Sequence, residues 1–111
     1  MKTIYVCSPF QGAEMRDNIE LAKRISRKAA LNGNAVICTH LYYPSFLSEE
    51  NEREIGIRGA LRLLELADEV WVAEGRISPG MAREIKKAGE LGIPIVKVKD
   101  PRVEEERSKL K

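Results

Sequence analysis

Apolar residues follow two different patterns along this chain, and the patterns alternate. Four short apolar runs end at polar or turn-forming residues and predict buried strands: TIYVCS (3–8), AVICTH (35–40), DEVWVAE (68–74) and IPIVKV (93–98). Between them, apolar positions recur at helical spacing, which predicts helices over 17–34, 48–67 and 78–92. The remaining segment, LYYPSFL (41–47), predicts an aromatic loop.

Polar residues at the predicted helix starts support these boundaries. Asp17, with Glu20 three residues later, is predicted to cap the first helix. Ser48 is the predicted cap of the second helix. The third helix has the fullest start signal, because Ser78 precedes a proline at the first helical position and then a glycine.

Strands that alternate with helices predict an α/β fold with a parallel sheet and helices on both faces. Right-handed crossovers favour a flavodoxin-like three-layer arrangement of four strands in the order 2-1-3-4. We expect one domain over 1–100 and a charged tail over 101–111, which is either a solvated end or short helix, or a docking arm. Ligands bind such folds beyond the carboxyl ends of the strands, where the strand order reverses. The functional loops are therefore predicted to be CSPFQG (7–12), THLYYP (39–44) and EGRISPG (74–80).

Composition narrows the class of protein. The chain has 111 residues, 43% hydrophobic and 32% charged, which is typical of a single globular domain. A net charge of +2 gives no field that would predict a nucleic acid polymer as partner. Cys7 and Cys38 lie in apolar runs without metal-binding spacing, so we expect buried thiols in a reducing cytosol. No apolar run approaches about 18 residues and the start lacks the form of a signal peptide, so we expect a cytoplasmic protein without a membrane partner.

Glu84 occupies an unusual position in the third predicted helix, because at about 100° per residue it falls inside the apolar stripe of that helix. The stripe consists of Met81, Ile85, Ala88, Leu91 and Gly92, and it is predicted to pack on the sheet. A surface glutamate paired with Lys87 at i+3 is the simpler alternative, but the position in the stripe near a capped helix start favours a functional carboxylate. Burial raises the pKa of a glutamate and helix-start amides lower it, so the two effects on Glu84 oppose each other.

Other polar residues near the predicted loops are candidates for binding. Asn18 interrupts an apolar row at the start of the first helix, so its amide either holds the SPFQG loop or contacts a ligand. Ser78 and the amides of Gly80 and Met81 form a helix start suited to an anion. His40 ends the second strand and is either structural or a ligand contact.

Aromatic residues and missing motifs bear on which ligands the chain could bind. Phe10, Tyr42 and Tyr43 either stack on a base or sugar or serve as ordinary packing residues. The chain has no GxxxxGK[ST] loop, no GxGxxG after the first strand and no metal-ligand spacing. We therefore expect no metal and no cofactor.

The segments IYVCSPFQG (4–12), DEVWVAEGRISPGMAREI (68–85) and A..LGIPIV (88–96) together resemble the nucleoside 2-deoxyribosyltransferase superfamily. This superfamily includes deoxynucleoside 5'-monophosphate N-glycosidases, and a branch of short relatives is the closer likeness. The resemblance implies an N-glycosyl hydrolase or transferase that acts on a nucleoside or a nucleoside 5'-monophosphate. It also implies a homodimer or higher homo-oligomer, because sites of the family are commonly completed by a neighbouring subunit.

The resemblance assigns roles to individual residues. Glu84 matches the nucleophilic glutamate of the family, Tyr5 matches the tyrosine beside that carboxylate, and Ser78 matches a serine that helps to hold phosphate in the N-glycosidases. The backbone of the first loop, including Ser8 and Gly12, would enclose the sugar. The base would then lie against Phe10 or against the Tyr42/Tyr43 loop.

Two departures from the family pattern support a second hypothesis. The family usually has an aspartate on the second helix that assists departure of the base, and here that neighbourhood reads Arg58, Gly59, Ala60. The N-glycosidases have an arginine where Gln11 stands, so Arg58 or Arg76 would have to supply the charge. A nucleotide-binding or sensing module without catalysis is therefore the alternative function, and an interaction protein with a vestigial cleft is the third.

Overall fold

The predicted parallel sheet is confirmed in a computed structural model, which describes residues 1–10 and 14–103. Its strands are β1 (Thr3–Cys7), β2 (Ala35–Ile37), β3 (Glu69–Ala73) and β4 (Ile95–Val98). All neighbouring strands are parallel, in the order β2-β1-β3-β4. The helices between them are α1 (Met15–Leu31), α2 (Arg53–Leu64) and α3 (Pro79–Leu91). The α/β class and the strand order 2-1-3-4 are therefore those that the sequence predicts.

Strand β1 lies at the centre of the sheet and is buried from Ile4 to Cys7. Tyr5 of this strand lies opposite Ile37 of β2 on one side and Val70 of β3 on the other. Because these strands are parallel, their carboxyl ends meet at one edge of the sheet. The loops that follow β1, β2 and β3 therefore begin side by side.

Two apolar cores lie on the two faces of the sheet. Helices α2 and α3 cover one face, where the core comprises Tyr5, Cys7, Ala60, Leu64, Ala67, Val70, Val72, Met81 and Ala88. Helix α1 covers the other face, where the core comprises Val6, Ala22, Ile25, Cys38, Ala73 and Val98. The predicted thiols of Cys7 and Cys38 are buried and free, one in each core. The three-layer arrangement is confirmed.

Two of the three predicted helix caps are wrong. Helix α1 begins at Met15, so Asp17 lies inside its first turn, where a carboxylate is stabilised by the helix dipole. Helix α2 begins only at Arg53, because the backbone N–H of Ser48 donates to the Glu52 carboxylate at 2.8 Å and the intervening residues form turns. The cap of α3 is confirmed, since the Ser78 hydroxyl accepts a hydrogen bond from a first-turn amide.

The strand before the aromatic loop is shorter than the sequence predicts, and turns take up more of the chain that follows it. Strand β2 ends at Ile37, and the chain continues through two 3-10 turns, Thr39–Leu41 and Tyr43–Ser45. His40 therefore lies in the first turn and not at the end of a strand.

At the end of α3, Leu91 is 44% exposed, so the prediction that it packs against the sheet is wrong.

Some predictions lie outside the described residues. Gln11 and Gly12 of the first loop and positions 104–111 of the charged tail belong to the undescribed part of the chain. Within residues 1–10 and 14–103, no helix is long and apolar enough to cross a membrane.

The core of the α2/α3 face supports a direct stability prediction. Leu64 is fully buried there, whereas Leu66, two residues later, is 66% exposed. We expect Leu64→Ala to lower the free energy of unfolding by about 2–5 kcal/mol, because it removes buried apolar surface and leaves a cavity. Leu66→Ala is the matched control and should change the free energy by less than about 0.5 kcal/mol. Urea unfolding measures both, and equal effects would contradict this packing.

Candidate active site

A cleft of about 330 Å³ opens at the carboxyl edge of the sheet. All three predicted loops contribute to it, and their main lining residues are Phe10, His40, Pro44, Ser78, Gly80 and Met81. The first half of α2 forms a further wall with Arg53, Gly56, Ile57 and Ala60. Glu84 also lines the cleft. The convergence of the three loops, predicted from strand order, is therefore confirmed.

Glu84 is buried in the apolar stripe of α3, with 6% of its surface exposed. Met81 and Ala88 lie on the same buried side of the helix. Burial raises the pKa of Glu84 to about 7, and a hydrogen bond from the Tyr5 hydroxyl lowers it only in part. Of the two opposing effects expected from the sequence, desolvation is the larger. The carboxyl group is consequently close to half ionised at neutral pH.

Tyr5 lies on the central strand behind Glu84 and is completely buried. Its hydroxyl is 3.5 Å from Oγ1 of Thr39, which is a weak contact at best, and it also bonds to the Glu84 carboxyl group. Burial and the neighbouring Glu84 charge both raise the pKa of Tyr5. Tyr5 is therefore protonated at any physiological pH and is a hydrogen-bond donor to the carboxyl group of Glu84.

The start of α3 forms one end of the cleft. The Ser78 hydroxyl accepts a hydrogen bond from the Met81 amide at 3.2 Å, and the Ser78 amide donates to the Met81 sulfur at 3.5 Å. The predicted Met81 amide is therefore already engaged. A hydroxyl that accepts still has its own proton to donate. The Ser78 O–H and the guanidinium of Arg76, which also lines the cleft, are suited to an anion at this end.

The part of the cleft lined by Phe10 and His40 is aromatic. The rings of Phe10 and His40 have centroids 5.0 Å apart and are tilted by 44°. Burial, with a smaller contribution from the Arg53 charge, lowers the pKa of His40 to about 4, so its imidazole is neutral at physiological pH. Nδ1 of His40 is buried and has no hydrogen-bond partner among the described residues. These two uncharged rings, which we call the aromatic end, offer an apolar surface for stacking.

Several predicted site residues lie behind the cleft and do not line it. Asn18 donates from Nδ2 to the carbonyl oxygen of Phe10 at 3.2 Å, so it holds the first loop, which is the first of its two proposed roles. Ser8 is completely buried, and its hydroxyl has no partner within the described residues. Of the two candidate arginines, Arg76 lines the cleft, whereas Arg58 points along α2 toward Glu54, with Nε 3.8 Å from its carboxylate.

No sequence motif indicates the contribution of α2 and of the turn before it. Arg53 of α2 and Glu49 of that turn both line the cleft. Helix α2 packs beside α3, where Arg83 bonds to both carboxylate oxygens of Glu54 at 3.1 and 3.2 Å. That pairing depends on tertiary structure, so no local pattern could have indicated it. The described residues contain no group of histidine, cysteine and acidic side chains that could hold a metal ion.

The fold and the cleft define a flavodoxin-like α/β protein with a cleft at the carboxyl edge of its sheet. The chain belongs to the family described as a domain of unknown function (DUF7768), whose profile matches residues 2–98. No curated protein matches the sequence.

Two solved structures are similar in fold. One is a 2-deoxyribosyltransferase from the psychrotolerant bacterium Bacillus psychrosaccharolyticus, with a TM-score of 0.60 and 24% identity over 87% of this chain and 72% of that chain. The other is a conserved protein from Enterococcus faecalis V583, with a TM-score of 0.58 and 19% identity over 87% of this chain and 62% of that chain. This chain thus spans less than two thirds of the second structure. At these identities the likeness establishes a common fold.

The buried Glu84 predicts a specific dependence of stability on pH. Its pKa is about 7 in the folded protein against an ordinary value of 4.5, so between these pH values the unfolded chain releases a proton that the folded chain retains. Stability from this group is complete below pH 4.5 and is lost as pH rises to about 7. The loss is about 3 kcal/mol, since each pH unit is worth about 1.4 kcal/mol. We expect the free energy of unfolding of Glu84→Gln, relative to that of the wild type, to increase by this amount between pH 4 and pH 8.

The quantity to follow is the difference in unfolding free energy between the wild type and Glu84→Gln. His40 has a lowered pKa, so its own contribution to stability rises with pH, opposite to that of Glu84. Urea unfolding of the wild type and of Glu84→Gln at each pH cancels the His40 contribution. The matched control is Glu90→Gln, which removes an exposed carboxylate of the same helix. A constant difference between the wild type and Glu84→Gln over this range would show that Glu84 is not desolvated.

Proposed function

We propose that this protein is an N-glycosyl hydrolase or transferase that acts on a nucleoside or a nucleoside 5'-monophosphate, with Glu84 as the nucleophile. One observation carries the proposal: a buried carboxylate lines the same cleft as two uncharged rings, a serine hydroxyl and a guanidinium. These groups suit the sugar, the flat base and the anionic group of a nucleotide. The fold shared with a 2-deoxyribosyltransferase supports the same class of reaction.

The reaction proceeds by double displacement at the anomeric carbon. An oxygen of the Glu84 carboxylate attacks C1', the C1'–N bond breaks, and the base leaves with the bonding electrons and takes up a proton. Water or a second base then attacks C1' and releases the carboxylate. The positive charge that develops on the sugar is stabilised by an ionised carboxylate in a water-poor setting, where the electrostatic attraction is strong. Tyr5 donates a hydrogen bond that favours this ionised form of Glu84.

The two ends of the cleft bind the two ends of the substrate. Phe10 and the neutral imidazole of His40 contact the base by stacking. The Ser78 hydroxyl donates to the 5'-phosphate, and Arg76 adds a positive charge. The departing base takes its proton from water.

A non-catalytic nucleotide-binding module is the second candidate function. The observation that favours it is the wall formed by α2, where Gly56, Ile57 and Ala60 line the cleft and none of them carries an acid. A site without a proton donor at this wall would bind a nucleotide and release the base slowly or not at all.

Base release from nucleosides and their 5'-monophosphates tests the proposal. Incubation of the purified protein with a ribo- and deoxyribonucleotide panel, followed by chromatography, should show free base. Glu84→Gln should lower the rate by on the order of 10³-fold or more, whereas Glu90→Gln should leave it unchanged. Because the carboxylate must be ionised to attack, kcat/KM should rise with pH with a midpoint at about 7.

Two outcomes would contradict catalysis by Glu84. Equal base release by the wild type and Glu84→Gln would assign the activity to another residue or to a contaminant. If the wild type releases no base although a nucleotide raises its melting temperature, the protein is the binding module.

Ser78→Gly tests the assigned anion end. Glycine is tolerated at a helix N-cap at a cost of only a few tenths of a kcal/mol, so the helix start is largely preserved while the hydroxyl is lost. We expect kcat/KM for 5'-monophosphates to fall about tenfold or more, as for a lost hydrogen bond to a charged group, with little change for nucleosides. The ratio of the two substrates is the measurement, and an equal loss for both would indicate a purely structural role for Ser78.

A further inference from the structure

Helix α2 presents a face without side chains to the aromatic loop. Gly56 and Gly59 lie one turn apart on this face. A Cβ atom added to Gly59 would overlap the hydroxyl of Tyr43 and lie 2.9 Å from its Cζ. A Cβ atom added to Gly56 would lie 3.4 Å from Cδ1 of Leu47 and 4.0 Å from Cγ of Tyr43. The ring of Tyr43 thus occupies the space that a side chain at position 59 would need.

Each of the two glycines lowers the intrinsic stability of helix α2. Glycine in a helix interior is less favourable than alanine by about 1 kcal/mol. Gly89 of α3 shows the contrast, because an added Cβ atom there would meet nothing within 4 Å. At Gly59 the absence of a side chain leaves room for the Tyr43 ring, which lies over the helix there.

Backbone hydrogen bonds join the turns of the aromatic loop around His40 and Tyr43. The Leu47 amide donates to the Tyr43 carbonyl at 2.8 Å, and the Tyr42 amide donates to the Thr39 carbonyl at 3.3 Å. The Tyr43 ring also packs against Tyr42, with centroids 4.9 Å apart. His40 lies inside this set of turns.

We infer that Tyr43 is a positioning residue: its ring, seated over Gly59 on α2, holds the loop so that His40 and Pro44 form one wall of the cleft. The seating itself is independent of any substrate. Its consequence for activity, that the wall is held in place to stack against the base, rests on the proposed function.

The only histidine of the chain provides a probe that needs no substrate. His40 has a pKa of about 4 because it is buried in this wall, against an ordinary value of 6.5. An NMR titration of untagged protein reports that pKa from a single imidazole resonance. Gly59→Ala should displace the ring, expose His40 and raise its pKa by at least one unit. Gly89→Ala is the matched control and should leave the pKa at the wild-type value.

Further variants distinguish displacement of the Tyr43 ring from a general disturbance of α2. Tyr43→Ala leaves α2 unchanged and should raise the His40 pKa as Gly59→Ala does, so the test survives if Gly59→Ala fails to fold. Tyr43→Phe keeps the ring and should behave as the wild type. In the Gly59→Ala background, Tyr43→Phe removes the overlapping hydroxyl and should restore the pKa at least in part.

The inference is overturned if folded Gly59→Ala and Tyr43→Ala both retain the wild-type His40 pKa, or if Tyr43→Phe raises it as much as Tyr43→Ala. Where the wild type releases base, Gly59→Ala should raise KM about tenfold with a smaller change in kcat, because the wall contacts the base both before and during the reaction. If the wild type releases no base, the proposed function fails while the His40 titration still decides the role of Tyr43.

Discussion

Burial of the Glu84 carboxyl group is the constraint on which the rest of the site depends. An ionisable group placed in the apolar stripe of a helix must lose most of its hydration when that helix packs on a sheet. In this protein Tyr5 of the central strand is the partner that hydrogen-bonds to it, and that bond offsets only part of the desolvation. The carboxyl group therefore reduces stability at neutral pH.

The parallel topology of the sheet determines at which edge the Glu84 carboxyl group lies. Because β1 lies between β2 and β3, the loops after all three strands meet at one edge. The Ser78 cap starts α3 at that edge, and Glu84 follows six residues later on the buried side of the helix. The first two turns of α3 thus bring Ser78 and Glu84 to the cleft, while the segments after β1 and β2 bring Phe10 and His40.

Helix α2 controls the shape of the remaining wall. The Glu54–Arg83 pair joins its start to α3, and the seat for Tyr43 joins it to the aromatic loop. The pair is exposed, so its contribution to stability is small, but it relates two elements that both line the cleft. Helix α2 thereby contacts both α3 and the aromatic loop, and residues of all three line the cleft.

Local patterns sufficed for much of this architecture. Strand and helix periodicity predicted the element order, crossover handedness predicted the sheet order, and helical geometry placed Glu84 in the apolar stripe. Cap signals were less reliable, because a capping side chain competes with alternative local hydrogen bonds. Ser78 has a proline directly after it and caps its helix, whereas the backbone N–H of Ser48 donates to the Glu52 carboxylate and the helix begins five residues later.

Tertiary structure alone decided the chemistry of the site. The pKa of Glu84 could not be assigned from sequence, because burial and helix amides act in opposite directions and only packing shows that desolvation is larger. The cleft contacts of Glu49 and Arg53 and the seating of Tyr43 over Gly59 depend on how separate elements pack together. Periodicity reports which face of an element is apolar, and it carries no information about which residue of another element will meet that face.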